Sequence, residues 1–158
     1  MRRCWQSWRF RKFNRKERKG RKKMIETEIK GISDKVRQTA YDIHVYLGHG
    51  HLEKVYENAL LHRLRKAGIN AKQQFPLLVC DEDGTVLGEY FADLFIEDVL
   101  VIEIKVARAL GVEHEAQLIG YLRSAKLEHG LLINFGAPLF EIRKYALSKP
   151  RGTAIRRR

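Results

Sequence analysis

A glutamate and a lysine two residues apart interrupt the apolar run Val99-Leu-Val-Ile-Glu103-Ile-Lys105-Val-Ala107. Apolar residues occupy both parities around them, which is how a strand buried on both faces reads. Residues two apart in a strand point to one face, so Glu103 and Lys105 project together. Burying either charge costs several kcal/mol unless it is paired or bound to a metal. Ten residues upstream, Tyr90-Phe-Ala-Asp93-Leu-Phe-Ile96 is a second apolar run with a carboxylate at its centre.

Register decides whether the carboxylates meet. A three-residue connection at 97–99 pairs 96 with 100 and therefore 93 with 103, whereas a two-residue connection pairs 93 with 102 and separates them. In the first register two carboxylates and a lysine converge. Like charges that close repel unless a proton or cation lies between them. Hard oxygen donors suit Mg²⁺, which takes one or two carboxylates together with waters and substrate phosphate oxygens. The competing reading is a buried Glu103–Lys105 pair with Asp93 in a turn.

Asp93, then nine residues, then Glu103-Ile-Lys105 resembles the PD-(D/E)XK nuclease superfamily. Two further motifs stand in the right order. Gly50-His-Leu-Glu53-Lys-Val-Tyr56 is similar to the Gly-x-x-Glu-x-x-Tyr signature of that superfamily's GxxExxY family, and Gln117-Leu-Ile-Gly-Tyr121 to the Gln-x-x-x-Tyr helix of its RecB-like branch. Gly130-Leu-Leu-Ile-Asn-Phe-Gly136 resembles the closing strand, and the likeness extends over about residues 33–147. It implies an α/β, restriction-endonuclease-like core: a mixed sheet flanked by helices in the order αα-βββ-α-ββ. It implies Asp93, Glu103 and the backbone carbonyl of Ile104 as ligands of Mg²⁺ or Mn²⁺, with Glu53 as a further acid. Lys105 is then the catalytic lysine, and Gln117, Tyr121 and Tyr56 contact substrate or support the site. The implied activity is hydrolysis of nucleic acid, expected to be DNA. The alternative is a non-catalytic nucleic-acid-binding or regulatory module on the same fold. Ala92 stands where the superfamily has proline, which shapes backbone and holds no metal.

The elements that must position these residues follow from periodicity. Ser33-Asp34 is an expected N-cap for a helix with Val36, Ala40, Ile43, Val45 and Leu47 on its apolar side, ending at Gly48. A second helix spans about 52–67, with Val55, Ala59, Leu60 and Leu64 on one side and Glu53, Tyr56 and Glu57 on another. Residues 71–80 read as a strand whose Pro76 marks an edge or a strand start. Asp81-Glu-Asp-Gly84 is a turn and 85–96 the returning strand. A helix at about 112–125 and strands near 130–134 and 139–147 complete the chain.

Other residues have plainer readings. Glu53 and Glu57 at i and i+4 also suit a solvated helix face, and His49-Gly-His51 a loop pair. Glu113-His-Glu115 suits a helix N-terminus, where negative charge is favoured. Gln117 and Tyr121 also suit a hydrogen-bonded boundary, and Asn134 a strand-end cap.

With 158 residues and 44% hydrophobic content, the chain is one domain of ordinary size. Its net charge of +12 is unevenly placed. Residues 1–23 carry 12 Lys and Arg against one acid, and 149–158 carry five against none. Residues 24–148 hold 14 basic and 18 acidic residues, a net −4. The expected division is a basic, disordered leader over 1–23, a nuclease-like domain over 24–148 and a basic tail over 149–158. The leader reads as a nucleic-acid arm, a targeting peptide or an extension upstream of Met24. No run of about 18 apolar residues suggests a membrane span, and no apolar segment follows the basic N-terminus as a signal peptide requires. Cys4 and Cys80 lie in unlike contexts that indicate neither disulfide nor zinc, so a cytoplasmic setting is expected.

Overall fold

The computed structural model describes residues 15–147, with side chains from residue 26 onward. The order is α1 (Arg15–Leu47), α2 (Glu53–Lys66), β1 (Ala71–Cys80), β2 (Val86–Ile96), β3 (Leu100–Lys105), α3 (Val112–Ser124), β4 (His129–Asn134) and β5 (Glu141–Ala146). The strands lie side by side in chain order in one sheet. All neighbours are antiparallel except β3 and β4, whose parallel pairing is bridged by α3. This is the mixed α/β architecture expected from the chain, in the order αα-βββ-α-ββ.

The sheet is buried on both faces, which is why β3 is apolar at both parities. Leu94, Ile96, Leu100, Ile102 and Ile104 pack with Ile43 of α1 and Tyr56, Leu60 and Leu64 of α2. On the other face Phe95, Val101 and Leu132 meet Leu118, Tyr121 and Leu122 of α3. A fully buried Leu or Ile contributes about 1.5–3 kcal/mol, so each helix is fixed chiefly by its apolar face.

Several local expectations change. Within the described residues helix α1 runs from Arg15, well before Ser33, and its backbone reaches into the stretch read as leader. Ser33 lies mid-helix, where its hydroxyl donates to the Ile29 carbonyl at 2.7 Å instead of capping. Val45 is 66% exposed because the buried face runs through Val36, Ala40 and Ile43. On α2, Val55 is 39% exposed, and Tyr56 and Glu57 are buried in its stead. Cys80 is disulfide-bonded, whereas its sequence context indicated neither a disulfide nor zinc. Residues 1–14 and 148–158, with much of both basic segments, lie outside the described residues. Among the described residues no helix is long and apolar enough to cross a membrane.

Candidate active site

The site forms where β2 and β3 part. Glu97 (φ 49°) and Asp98 (φ 57°) are both left-handed, and the Val99 N–H closes the turn onto the Ile96 carbonyl at 3.0 Å. Residues 97–99 thus form the connection that pairs Ile96 with Leu100, Phe95 with Val101 and Leu94 with Ile102. One step further, Asp93 falls opposite Glu103. Pairing ends there, and the Ile104 N–H is taken by the Asp93 carboxylate, at 2.7 Å to Oδ2.

The strands invert at this point. Ala71, Leu94 and Ile96 face the core under α1 and α2, whereas Leu77 and Ala92, of the same parities, face α3. The switch falls at Gln74, a left-handed residue at φ 47°, and at Asp93, which the β1–β2 register sets opposite it. At this inversion the Asp93 carboxylate reaches the β3 backbone. Carbonyls alternate along a strand. Because the Lys105 carbonyl oxygen accepts the Phe135 N–H on the β4 side, the Ile104 carbonyl shares the Asp93 side with its own N–H.

Glu103 is 3% exposed. Its Oε1 accepts the Lys105 ammonium at 2.8 Å, and its Oε2 is buried with no hydrogen-bond partner. Burial, then repulsion from Asp93, lifts the Glu103 pKa to about 7 against the pull of Lys105. Burial also raises Asp93, opposed by the Ile104 N–H and reinforced by the charges of Glu53 and Glu57. For Lys105, burial acts downward, but the Glu103 hydrogen bond and the charges of Glu103, Glu53 and Asp93 outweigh it and raise the pKa. The lysine therefore stays an ammonium.

The remaining residues arrange themselves around this trio. Glu53, the first residue of α2, is exposed and acts by charge on Asp93, Glu103 and Lys105. One turn on, Glu57 is 3% exposed and accepts Lys54 Nζ at 2.9 Å and Gln74 Nε2 at 3.0 Å. Tyr56 is fully buried: its hydroxyl donates to the Gly48 carbonyl at 2.7 Å, and its ring stacks on Phe135 at 4.5 Å. It braces the loop that leads into Glu53. On α3, Gln117 Nε2 donates to the Tyr121 hydroxyl oxygen at 2.6 Å. Burial raises the Tyr121 pKa against that bond, and the Glu103 charge adds to the rise, so the pair lies within electrostatic range of the acids.

Glu57 and Gln74 are the site neighbours that the sequence reading passed over. Glu57 was visible as the i+4 companion of Glu53, whereas Gln74 carried no signal, being one polar residue among several in β1. Elsewhere, His114 Nδ1 accepts the Gly111 N–H at 3.1 Å and so serves the start of α3.

Among the described residues no group of three or more His, Cys, Asp and Glu is gathered as a ready-made metal cage. The donors do fit a hard cation that brings its own waters. Two carboxylates and a backbone carbonyl share one end of the sheet, one carboxylate oxygen is orphaned, and the local charge is negative. A cation there would offset the burial and the like-charge repulsion that raise both acids.

A family model described as the PD-(D/E)XK nuclease superfamily matches residues 30–145. No curated protein matches the chain. A solved structure titled "Crystal structure of SSO0001" is similar, at 24% identity and a TM-score of 0.50, over 59% of this chain and 48% of that one. The match thus spans about half of that protein, and the likeness concerns the fold.

Proposed function

The chain belongs to the PD-(D/E)XK nuclease superfamily, and on that premise we propose that it is a Mg²⁺- or Mn²⁺-dependent nuclease that hydrolyses phosphodiester bonds in DNA. The Gly50, Glu53 and Tyr56 motif supports placing it in the GxxExxY branch. One observation carries the reading. Asp93 and Glu103 converge at the β2–β3 divergence, with Lys105 bound to one Glu103 oxygen and the other oxygen unpartnered.

Asp93, Glu103 and the Ile104 carbonyl would hold the cation, with Glu53 adding charge from the start of α2. When bound, the cation supplies Lewis acidity at phosphorus and lowers the pKa of water. The protein's own groups do the rest. The Ile104 N–H fixes Asp93 in orientation. Glu103 holds the Lys105 ammonium beside the reacting phosphate, where a positive charge stabilises negative charge developing in the transition state. Because its pKa is raised, Lys105 orients water and offsets charge and does not accept a proton. Gln117 and Tyr121 border the site from α3, and the half-exposed Tyr90 ring lies 4.9 Å from Tyr121, where a nucleobase can stack.

The test is cleavage of single- and double-stranded DNA and RNA with Mg²⁺, with Mn²⁺ and with chelator. Chelator-sensitive cleavage of DNA that Lys105→Ala and Glu103→Gln abolish is expected. Nucleic-acid binding without cleavage under any metal would contradict it and favour a binding module.

A further inference from the structure

Gln74 is a left-handed residue inside a strand, at φ 47°. That conformation is disfavoured for any residue with a Cβ, and the exceptions cluster where a site needs them. Its position is not arbitrary: the register Gln73 with Leu94 and Phe75 with Ala92 sets it opposite Asp93. The same residue marks the inversion of the hairpin between the two cores. Its side-chain amide then reaches two acids. Nε2 donates to Glu57 Oε1 at 3.0 Å and to Asp93 Oδ1 at 3.3 Å. Both neighbours are acceptors when ionised, so the amide nitrogen is the end that must face them.

We infer that Gln74 is a positioning residue: its strained backbone places one amide between Glu57 and Asp93 and thereby aligns Asp93 for the cation. The inference rests on the metal-dependent reading above. Asp93 then has both oxygens directed, Oδ2 by the Ile104 N–H and Oδ1 by Gln74. The amide also separates two carboxylates whose charges would otherwise meet, since Glu57 is among the groups that raise Asp93. Hydrogen bonds that orient metal-binding carboxylates commonly alter metal affinity by 10–100-fold. A residue kept only for the fold would be better replaced by glycine, which adopts positive φ freely.

Two substitutions in the full-length protein separate these roles. Gln74→Gly and Gln74→Ala both remove the amide, but only glycine relieves the backbone. Positioning predicts an Mn²⁺ Kd at least about tenfold above wild type in both variants by calorimetry. It also predicts that the metal-free Gly variant melts at or above wild type and the Ala variant below the Gly variant. An Mn²⁺ Kd within about threefold of wild type in either variant overturns the inference, as does affinity that merely follows melting temperature. If wild type itself binds no Mn²⁺, the metal-site reading fails first, which keeps the two failures distinct.

Discussion

Two neighbouring strands, β3 and β4, finish at the same end of the sheet with opposite electrostatic outcomes. In the parallel β3–β4 register Lys105 lies beside Asn134. Asn134 is fully buried and satisfied. Its Oδ1 accepts the Ala107 and Gly136 N–H groups at 3.0 Å each, and its Nδ2 donates to the Ala107 carbonyl at 2.9 Å and Glu141 Oε2 at 3.4 Å. For Glu141, burial acts upward, but bonds from Asn134, the Leu110 N–H and Arg143 outweigh it and hold the carboxyl below its usual range. At the end of β3, Glu103 is pushed up to about 7 and keeps an orphaned oxygen. A satisfied buried network makes structure, whereas an unsatisfied one stores free energy that a ligand can release.

The largest expected effect is on the reaction. Lys105→Ala should lower single-turnover DNA cleavage by at least about 10²–10³-fold, the scale of losing one preorganised charge-stabilising group. Mn²⁺ affinity should hold or rise, because a nearby positive charge is removed. Retained cleavage would place the chemistry elsewhere.

On the β4 side the loss should fall on folding. Asn134→Ala leaves the Ala107 and Gly136 backbone groups without their partner, and urea unfolding should show a loss of roughly 2–4 kcal/mol. Mn²⁺ affinity measured on the folded fraction should change little. An unaltered stability would mean that this network is ornamental.

Much of this contrast was legible in the sequence. Glu103 and Lys105 stood out because charges at one parity of an apolar strand are costly, and the length of the 97–99 connection fixed which carboxylate they would meet. Asn134 was readable only as a strand-end cap, since its partners Ala107, just past β3, and Glu141, at the start of β5, are brought to it by the fold. Gln74 was not legible at all, because nothing in a polar residue's type announces a left-handed backbone. The start of α1 was misread for a related reason: Ser33 has capping chemistry, but the helix continues through it. Val45 was misassigned because spacing gives a face only after its centre is known.

Glu103 also gives the metal-free protein a pH dependence. Its folded pKa, about 7, exceeds the ordinary 4.5, so the folded state binds the proton more tightly. Stability should therefore fall as pH rises from about 4.5 to 7 and level off above, by up to roughly 3 kcal/mol. Glu103→Gln should flatten that slope in chelator and match or exceed wild-type stability at pH 8. A steeper slope in the variant would contradict the assignment to Glu103.

The smallest effect belongs to Glu53, which is exposed and acts through charge. Glu53→Gln should shift stability by less than about 1 kcal/mol, since exposed charges contribute little. It should still weaken Mn²⁺ binding by removing one of the charges that act on Asp93 and Glu103. Unchanged affinity would remove Glu53 from the acidic set.

The central claim is that the unsatisfied carboxylate of Glu103 is held ready for a divalent cation. Its most direct test is the melting temperature of wild type and Glu103→Gln at pH 8, each in Mn²⁺ and in chelator. A ligand that binds only the folded state raises stability in proportion to RT ln(1 + [L]/Kd). Wild type should melt higher in Mn²⁺ than in chelator, and Glu103→Gln should melt at the same temperature in both. Equal Mn²⁺ shifts in the two proteins, or none in wild type, would contradict it.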